Sequence, residues 1–294
     1  MSESHLDAAE FHYPLDMLPP SHWHGISDEF PTVTQLRNGV ILNTIAHAVW
    51  LVGANLHEHW WVGDNYSCSD GQSTIGEISF VGAEVVAAFA DAHSPRMKRA
   101  LHVESGAFEW DWTWLTAGMP AALLRAANQP GFALERRSHD ELGTTTAVFW
   151  SVNGRVAAAE PWPRVYDHGA HILRRALLEP DAVWPELADD YGFGDDSVEV
   201  IRATFARKQA AGRGGVTVTP AEKRVMLQAG RDEIVDKVRR YPSQHPPTGS
   251  ERAEVLAMLP DELRGDERLA VAFALEQGLA RARDQFGQIG IIVP

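Results

Sequence analysis

The sequence predicts an α+β fold, with a mixed helix and strand unit followed by a mostly helical C-terminal unit. Three observations carry that prediction. Strand-like and helix-like runs intermingle over the first two thirds of the chain without regular strand–helix alternation. Capped, periodic helical patterns take over after residue 194. The composition changes at the same place: all ten tryptophans lie between Trp23 and Trp184, and twelve of thirteen histidines precede residue 195. Charge divides there too. Residues 1–194 hold 25 acidic and 11 basic side chains, whereas residues 195–294 hold 15 of each. A shift of this kind predicts two units, 1–194 and 195–294, hinged at Tyr191-Gly192-Phe193-Gly194.

Taken in order, Thr34 to His57 reads as a helix. Its apolar stretch from Gly39 to Leu56 is long enough to span a bilayer, but Asn43, Thr44, His47 and Asn55 interrupt it, so a buried core helix is expected. Ser73 to Val81 alternates as a strand does, and Ala83 to His93 reads as a helix. Phe108 to Trp114 alternates strictly and is a strand candidate, with a helix at Pro120 to Ala127. Gly143 to Val152 and Arg155 to Glu160 form two strands joined at Asn153-Gly154, the strongest short hairpin signal. Arg164 to Leu178 and Asp181 to Tyr191 return to helix.

In the second unit, Asp196 with Glu199 makes a capping-box-like start for a helix that stops at Gly212. Thr219-Pro220-Ala221-Glu222 is a stronger start, for a helix to about Arg240. Thr248 with Glu251 caps a third helix, ended by Pro260, and a last helix spans roughly Asp266 to Gln285. The apolar tail from Ile289 to Pro294 suits an edge strand or a docked peptide, with packing on its own core the plainer expectation.

Composition narrows function. The chain of 294 residues has 45% hydrophobic and 22% charged residues, which fits a folded globular protein. A net charge of -14 opposes sequence-independent nucleic-acid binding. One cysteine, Cys68, excludes an intramolecular disulfide and a thiolate-rich metal site. The N-terminal residues show no basic stretch before an apolar core, so a cytoplasmic protein without membrane attachment is the expectation. Walker A, Gly-x-Gly-x-x-Gly and His-Glu-x-x-His motifs are missing, and in Gly71 to Gly76 the second glycine comes one residue too late for a nucleophile elbow.

The candidate sites have a local chemical logic. His22 and His24 flank Trp23, and His57 and His59 flank Glu58 just before Trp60-Trp61. In an extended segment, residues two apart share a face, so two such pairs could offer zinc or iron a nitrogen-rich shell. Glu58 or Asp64 would then serve as general base, and metal-activated water would make a hydrolase. Asp64 or Asp70 could add an oxygen ligand. The plainer alternative is a set of histidines that merely hydrogen-bond. On a helix, His168 and His171 share a face and could bind metal, or Asp167 could orient an imidazole as an acid–base group; the plainer reading has Asp167 cap the helix with both histidines on its surface. Cys68 reads as a small buried residue sooner than a nucleophile. Asp195-Asp196-Ser197-Val198-Glu199 resembles, over five residues, the acidic Mg²⁺-binding run of class I terpene synthases. The second metal triad of that family is absent downstream, and helix capping explains the same acids.

On a strand, Trp110, Trp112 and Trp114 would share one face with Phe108. Buried, that face is core; exposed, it is a partner-binding platform. The leading functional expectation is a non-catalytic interaction or inhibitor-type protein whose acidic, tryptophan-rich unit binds a basic protein partner. Inhibitors that shield basic nuclease toxins are similar in charge. The alternative expectations are the metal-dependent hydrolase and a helical adaptor.

Overall fold

Chain order and register organise the molecule around one sheet and one helix. The structure is a computed structural model that describes residues 24–54, 58–97, 112–127, 145–240, 255–257, 259, 263 and 265–294. Seven strands form an antiparallel sheet: β1 (Gly25–Ile26), β2 (His59–Val62), β3 (Asn65–Ser69), β4 (Thr74–Val81), β5 (Glu84–Asp91), β6 (Ala147–Val152) and β7 (Arg155–Ala158). Their order across the sheet is β1-β7-β6-β5-β4-β3-β2. The α+β class read from the sequence is the one observed.

Helix α1 (Val33–Trp50) is the spine. Thr32 caps it through a full capping box with Gln35. Leu36 and Val40 pack on the sheet with Tyr66, Ile78, Phe80 and Phe89. Leu42, Ile45, Ala46, Val49 and Val52 pack into a second, helical core. Burial on both sides explains an apolar run without a polar stripe. No helix among the described residues is long and apolar enough to cross a membrane.

The sheet is apolar on both faces. One face meets α1 and the short helices α3 (Trp162–Asp167) and α4 (Arg174–Leu177). The other meets a 3-10 turn at Trp112–Thr116 and α2 (Ala121–Ala127). This corrects the helix expected at Ala83 to His93, which is the central strand β5. Val85, Ala87 and Phe89 face one core while Val86 and Ala88 face the other, so no alternation survives in the sequence. The expected hairpin is present: Asn153 and Gly154 both take positive φ, 53° and 74°, as a type I′ turn requires.

The helical layer comprises α5 (Pro180–Tyr191), α6 (Asp195–Ala211), α7 (Pro220–Arg240) and α8 (Gly265–Gln288). Here the turn that follows α1 packs against two helix backbones. A Cβ on Gly278 of α8 would lie 2.0 Å from the Val52 carbonyl oxygen, and one on Gly230 of α7 would lie 2.8 Å from the Val52 carbonyl carbon. Helix contacts of α1 therefore run across the composition boundary at residue 194 into the C-terminal unit. The tail forms β9 (Ile291–Ile292), parallel to β8 (Val216–Thr217) of the same chain. The expected helix from Thr248 to Pro260 lies mostly outside the described residues, with residues 255–257 helical.

Two further expectations change. The helix at Arg164 to Leu178 breaks at Gly169, where φ is 145° and a Cβ would meet Phe89 at 2.5 Å. The expected cap Asp196 is displaced: Gly194 is the N-cap of α6 and contributes no side chain, so Asp195 and Asp196 sit in its first turn.

Candidate functional site

Two polar residues in the second half of α1 begin the site. Asn43 and His47 are buried, an expensive placement unless both are hydrogen-bonded. His47 Nε2 accepts from the Glu58 amide at 3.2 Å, fixing the chain where it enters β2. His59, the first residue of β2, stands edge-on to His47 with ring centroids 5.1 Å apart. His59 Nδ1 and the Tyr66 hydroxyl share a hydrogen bond of 2.6 Å, and His59 Nε2 and the Tyr191 hydroxyl share one of 3.2 Å. The chain of groups Tyr66–His59–Tyr191 thus links the sheet to the end of α5.

Burial sets the electrostatics of this chain. It holds His59 well below the usual histidine range, with His47 and Arg175 acting in the same direction. It pushes the Tyr66 and Tyr191 hydroxyls up, so both remain protonated. Burial also raises Glu58, against the lowering influence of Arg175 and Tyr191. The Arg175 guanidinium lies over the Tyr191 ring at 4.7 Å and pairs with Asp190 at 3.6 Å.

Tyr191 is also the inner wall of a cleft of about 1000 Å³. Its aromatic side is Trp50, Tyr191 and Phe193, with ring centroids 5.4 Å and 5.3 Å apart. Its other side is the start of α6 and the middle of α7. Five acidic residues line it, Asp190, Asp195, Asp196, Asp232 and Glu233, with one arginine, Arg231, which pairs with Asp232 at 2.9 Å. Asp195 and Asp196 are exposed and have no ion-pair partner among the described residues. The displaced cap matters here, because these two carboxylates are not consumed in closing the helix.

Of the four histidines read from the sequence as a metal shell, the two described ones stand apart. His24 precedes β1 and His59 opens β2, so the two stand at opposite edges of the seven-stranded sheet. His24 packs on Phe30, while both ring nitrogens of His59 face tyrosine hydroxyls. His22 and His57 lie outside the described residues. Among the described residues, no group of three or more histidine, cysteine, aspartate or glutamate side chains could hold a metal ion. Of the two proposed bases, Glu58 is at the buried tyrosine–histidine chain, whereas Asp64 is exposed in the β2–β3 turn. They are on different sites. Asp70, a further oxygen candidate, accepts from the amides of Gln72, Ser73 and Thr74 at 2.8–2.9 Å. Those bonds outweigh burial and lower its pKa.

The tryptophan face is also rearranged. Residues 112–116 form a 3-10 turn where the strand expected at Phe108 to Trp114 would end, so the two-residue alternation does not hold there; residues 108–111 lie outside the described residues. Trp110 lies outside the described residues. Trp114 is half-buried in the second sheet core, with the Arg96 guanidinium 5.1 Å from its ring centroid.

Three remaining groups are structural. The Cys68 thiol is buried against the Gly76 carbonyl and pushed up to about 12 by that burial, far from a nucleophilic thiolate. His168 is buried with Nδ1 3.0 Å from Ser94 Oγ, and His171 Nδ1 is 3.2 Å from the Tyr166 carbonyl. The break at Gly169 separates that pair. Asp167 ends α3 and does not cap its start.

The sequence reading missed β2 and β3, and with them the site. Glu58 and His59 were singled out from their local pattern, but their partners were signalled only by Asn43 and His47, polar residues in the apolar half of α1. Compared with family models, curated proteins and solved structures, the chain matches none.

Proposed function

We propose that the protein is a non-catalytic binder of a basic protein partner, and that the acidic cleft beside Tyr191 receives a cationic side chain of that partner. The observation behind this reading is the pairing of an aromatic wall with carboxylates in one cleft. An arginine or lysine head group is attracted both to aromatic faces and to carboxylates. The protein already satisfies one of its own arginines this way, since Arg175 lies over Tyr191 and pairs with Asp190. The net charge of -14 supports steering of a basic partner towards such a cleft.

This reading moves the contact away from Trp110, Trp112 and Trp114. A hydrolase built on the four histidines would need His24 and His59 together, and β1 and β2 are at opposite edges of the sheet. The test is calorimetric titration with a short oligoarginine peptide and an uncharged peptide of equal length. The oligoarginine binds saturably and weakens with salt, and Asp195→Asn with Asp196→Asn weakens it about tenfold. Binding equally tight in the double variant would reject the cleft as the contact, and absence of binding would reject the cationic partner.

A further inference from the structure

The chain is acidic overall, yet one pocket is cationic. A cavity of about 310 Å³ lies between α1, the β2–β3 turn, the end of α6 and the residues before β9. Arg37, Lys208 and Arg213 line it, together with one acidic residue, Asp64. None of the three cations has an ion-pair partner among the described residues. Arg37 lies over the Phe80 ring at 4.7 Å, and Lys208 Nζ donates to the Gly214 carbonyl at 3.0 Å.

Lys208 is the unusual member. It is only 6% exposed, and its ammonium has three donors but a single hydrogen bond among the described residues. Burial lowers its pKa. Closure of the α6 C-terminus accounts for the bond to Gly214. It does not account for Arg37, which comes from a different helix and converges on the same space. Bringing three like charges together costs free energy that an anion would recover.

The remaining wall is flat and apolar. Trp61 and Phe80 stack with ring centroids 5.8 Å apart and an interplanar angle of 17°. Trp61 is fixed by two hydrogen bonds: its indole N–H donates to Thr44 Oγ1 at 2.8 Å, and its amide donates to Gln288 Oε1 at 2.7 Å. The indole is therefore positioned before any ligand arrives.

We propose that this pocket binds a small phosphomonoester carrying a flat ring, with the phosphate held by Arg37, Lys208 and Arg213 and the ring set against Trp61. The volume is at the lower end of small-molecule sites, which excludes large cofactors. The site is separate from the acidic cleft and does not rest on its reading.

The experiment is calorimetric titration of the whole protein with phenyl phosphate, inorganic phosphate and phenol. Phenyl phosphate binds with one-to-one stoichiometry and more tightly than either fragment. Lys208→Met weakens it at least about tenfold, the scale of one lost charge-assisted contact. Lys208 is buried, so Arg213→Gln provides an exposed variant that leaves the fold untouched and weakens phenyl phosphate severalfold. Tighter binding of phenyl phosphate than of phosphate alone supports the ring contact. Equal binding of the two would overturn the aromatic part. No saturation up to about 10 mM, or affinity unchanged in Arg213→Gln, would overturn the site.

Discussion

Two glycines of α8 should respond oppositely to the same substitution. Gly278 faces the end of α1, and a Cβ placed there would lie 2.0 Å from the Val52 carbonyl oxygen and 2.7 Å from its carbon. Non-bonded heavy atoms rest at about 3.5 Å, so the two backbones must part by roughly 1.5 Å. Neither atom belongs to a side chain that can swing aside. Overpacking costs about 1–3 kcal/mol, and a backbone-on-backbone clash belongs at or above the top of that range. Alanine offsets about 1 kcal/mol of this through its helix propensity. The net loss for Gly278→Ala is therefore about 2 kcal/mol or more, which lowers Tm by roughly 4–8 °C in a chain of this size. Gly287 lies nine residues further along the same helix, and a Cβ there meets nothing within 4 Å. Gly287→Ala keeps only the propensity gain, about 0.5–1 kcal/mol near a helix end, and raises Tm slightly. Thermal and urea melts of both variants provide the comparison. Equal shifts of the same sign, or an unchanged Gly278→Ala, would refute the close seam between α1 and α8.

Two other predictions concern buried charge. Arg96 and Glu160 are fully buried and joined by two hydrogen bonds of 2.8 and 2.5 Å. Glu160→Gln strips the counter-charge from a guanidinium that cannot reach water, and should cost about 3–5 kcal/mol in urea unfolding; a loss below about 1 kcal/mol would show that the pair is solvated. His59 gives a pH signature. Its pKa is depressed in the folded protein by burial, then by His47 and Arg175, so the unfolded chain takes up a proton near pH 6.5 that the folded chain refuses. Stability is intact above that pH and falls below it, by about 1.4 kcal/mol per pH unit for one such group. Glu58, raised by burial, works in the opposite sense at lower pH. Unfolding free energies between about pH 7.5 and 5.5 should slope less steeply in His59→Gln, and identical slopes would place His59 in contact with solvent.

Much of the fold was legible wherever one face or one cap decided the local structure. α1 was read from its length and apolar content, although it ends at Trp50 with a turn at 51–53, short of the expected His57, and the β6–β7 hairpin was read from Asn153-Gly154, whose positive φ values match the turn. α7 was read from Thr219 and Glu222, which do bond reciprocally: the Thr219 amide donates to the Glu222 carboxylate at 2.8 Å, and the Glu222 amide to Thr219 Oγ1 at 3.2 Å. Failures share a different cause. β5 lies mid-sheet between two apolar layers, so its alternation is erased and its alanines suggest helix. The run from Phe108 to Trp114 alternates perfectly, yet residues 112–116 form a 3-10 turn that places Leu115 and Trp114 against the core. Tertiary packing overrides pattern in both.

The candidate site was illegible for a related reason. Trp50, Tyr191, Asp195 and Asp232 come from four helices or their junctions, and no two of them form a spaced motif. Each also has a sufficient local explanation: a core aromatic, a hinge residue, a helix cap, a solvated helix face. The cap explanation is the one that structure removes. With Gly194 in that position, Asp195 and Asp196 keep exposed carboxylates at the cleft. A carboxylate in a first helical turn is stabilised by the helix dipole without being buried, so it remains available to a cation. The same geometry separates the two readings of the acidic chain. Charge spread over a surface steers any basic molecule weakly, whereas carboxylates opposite an aromatic wall select one inserted side chain. Only the second predicts that neutralising Asp195 and Asp196, two of the 40 acids in the chain, changes affinity more than neutralising two acids elsewhere.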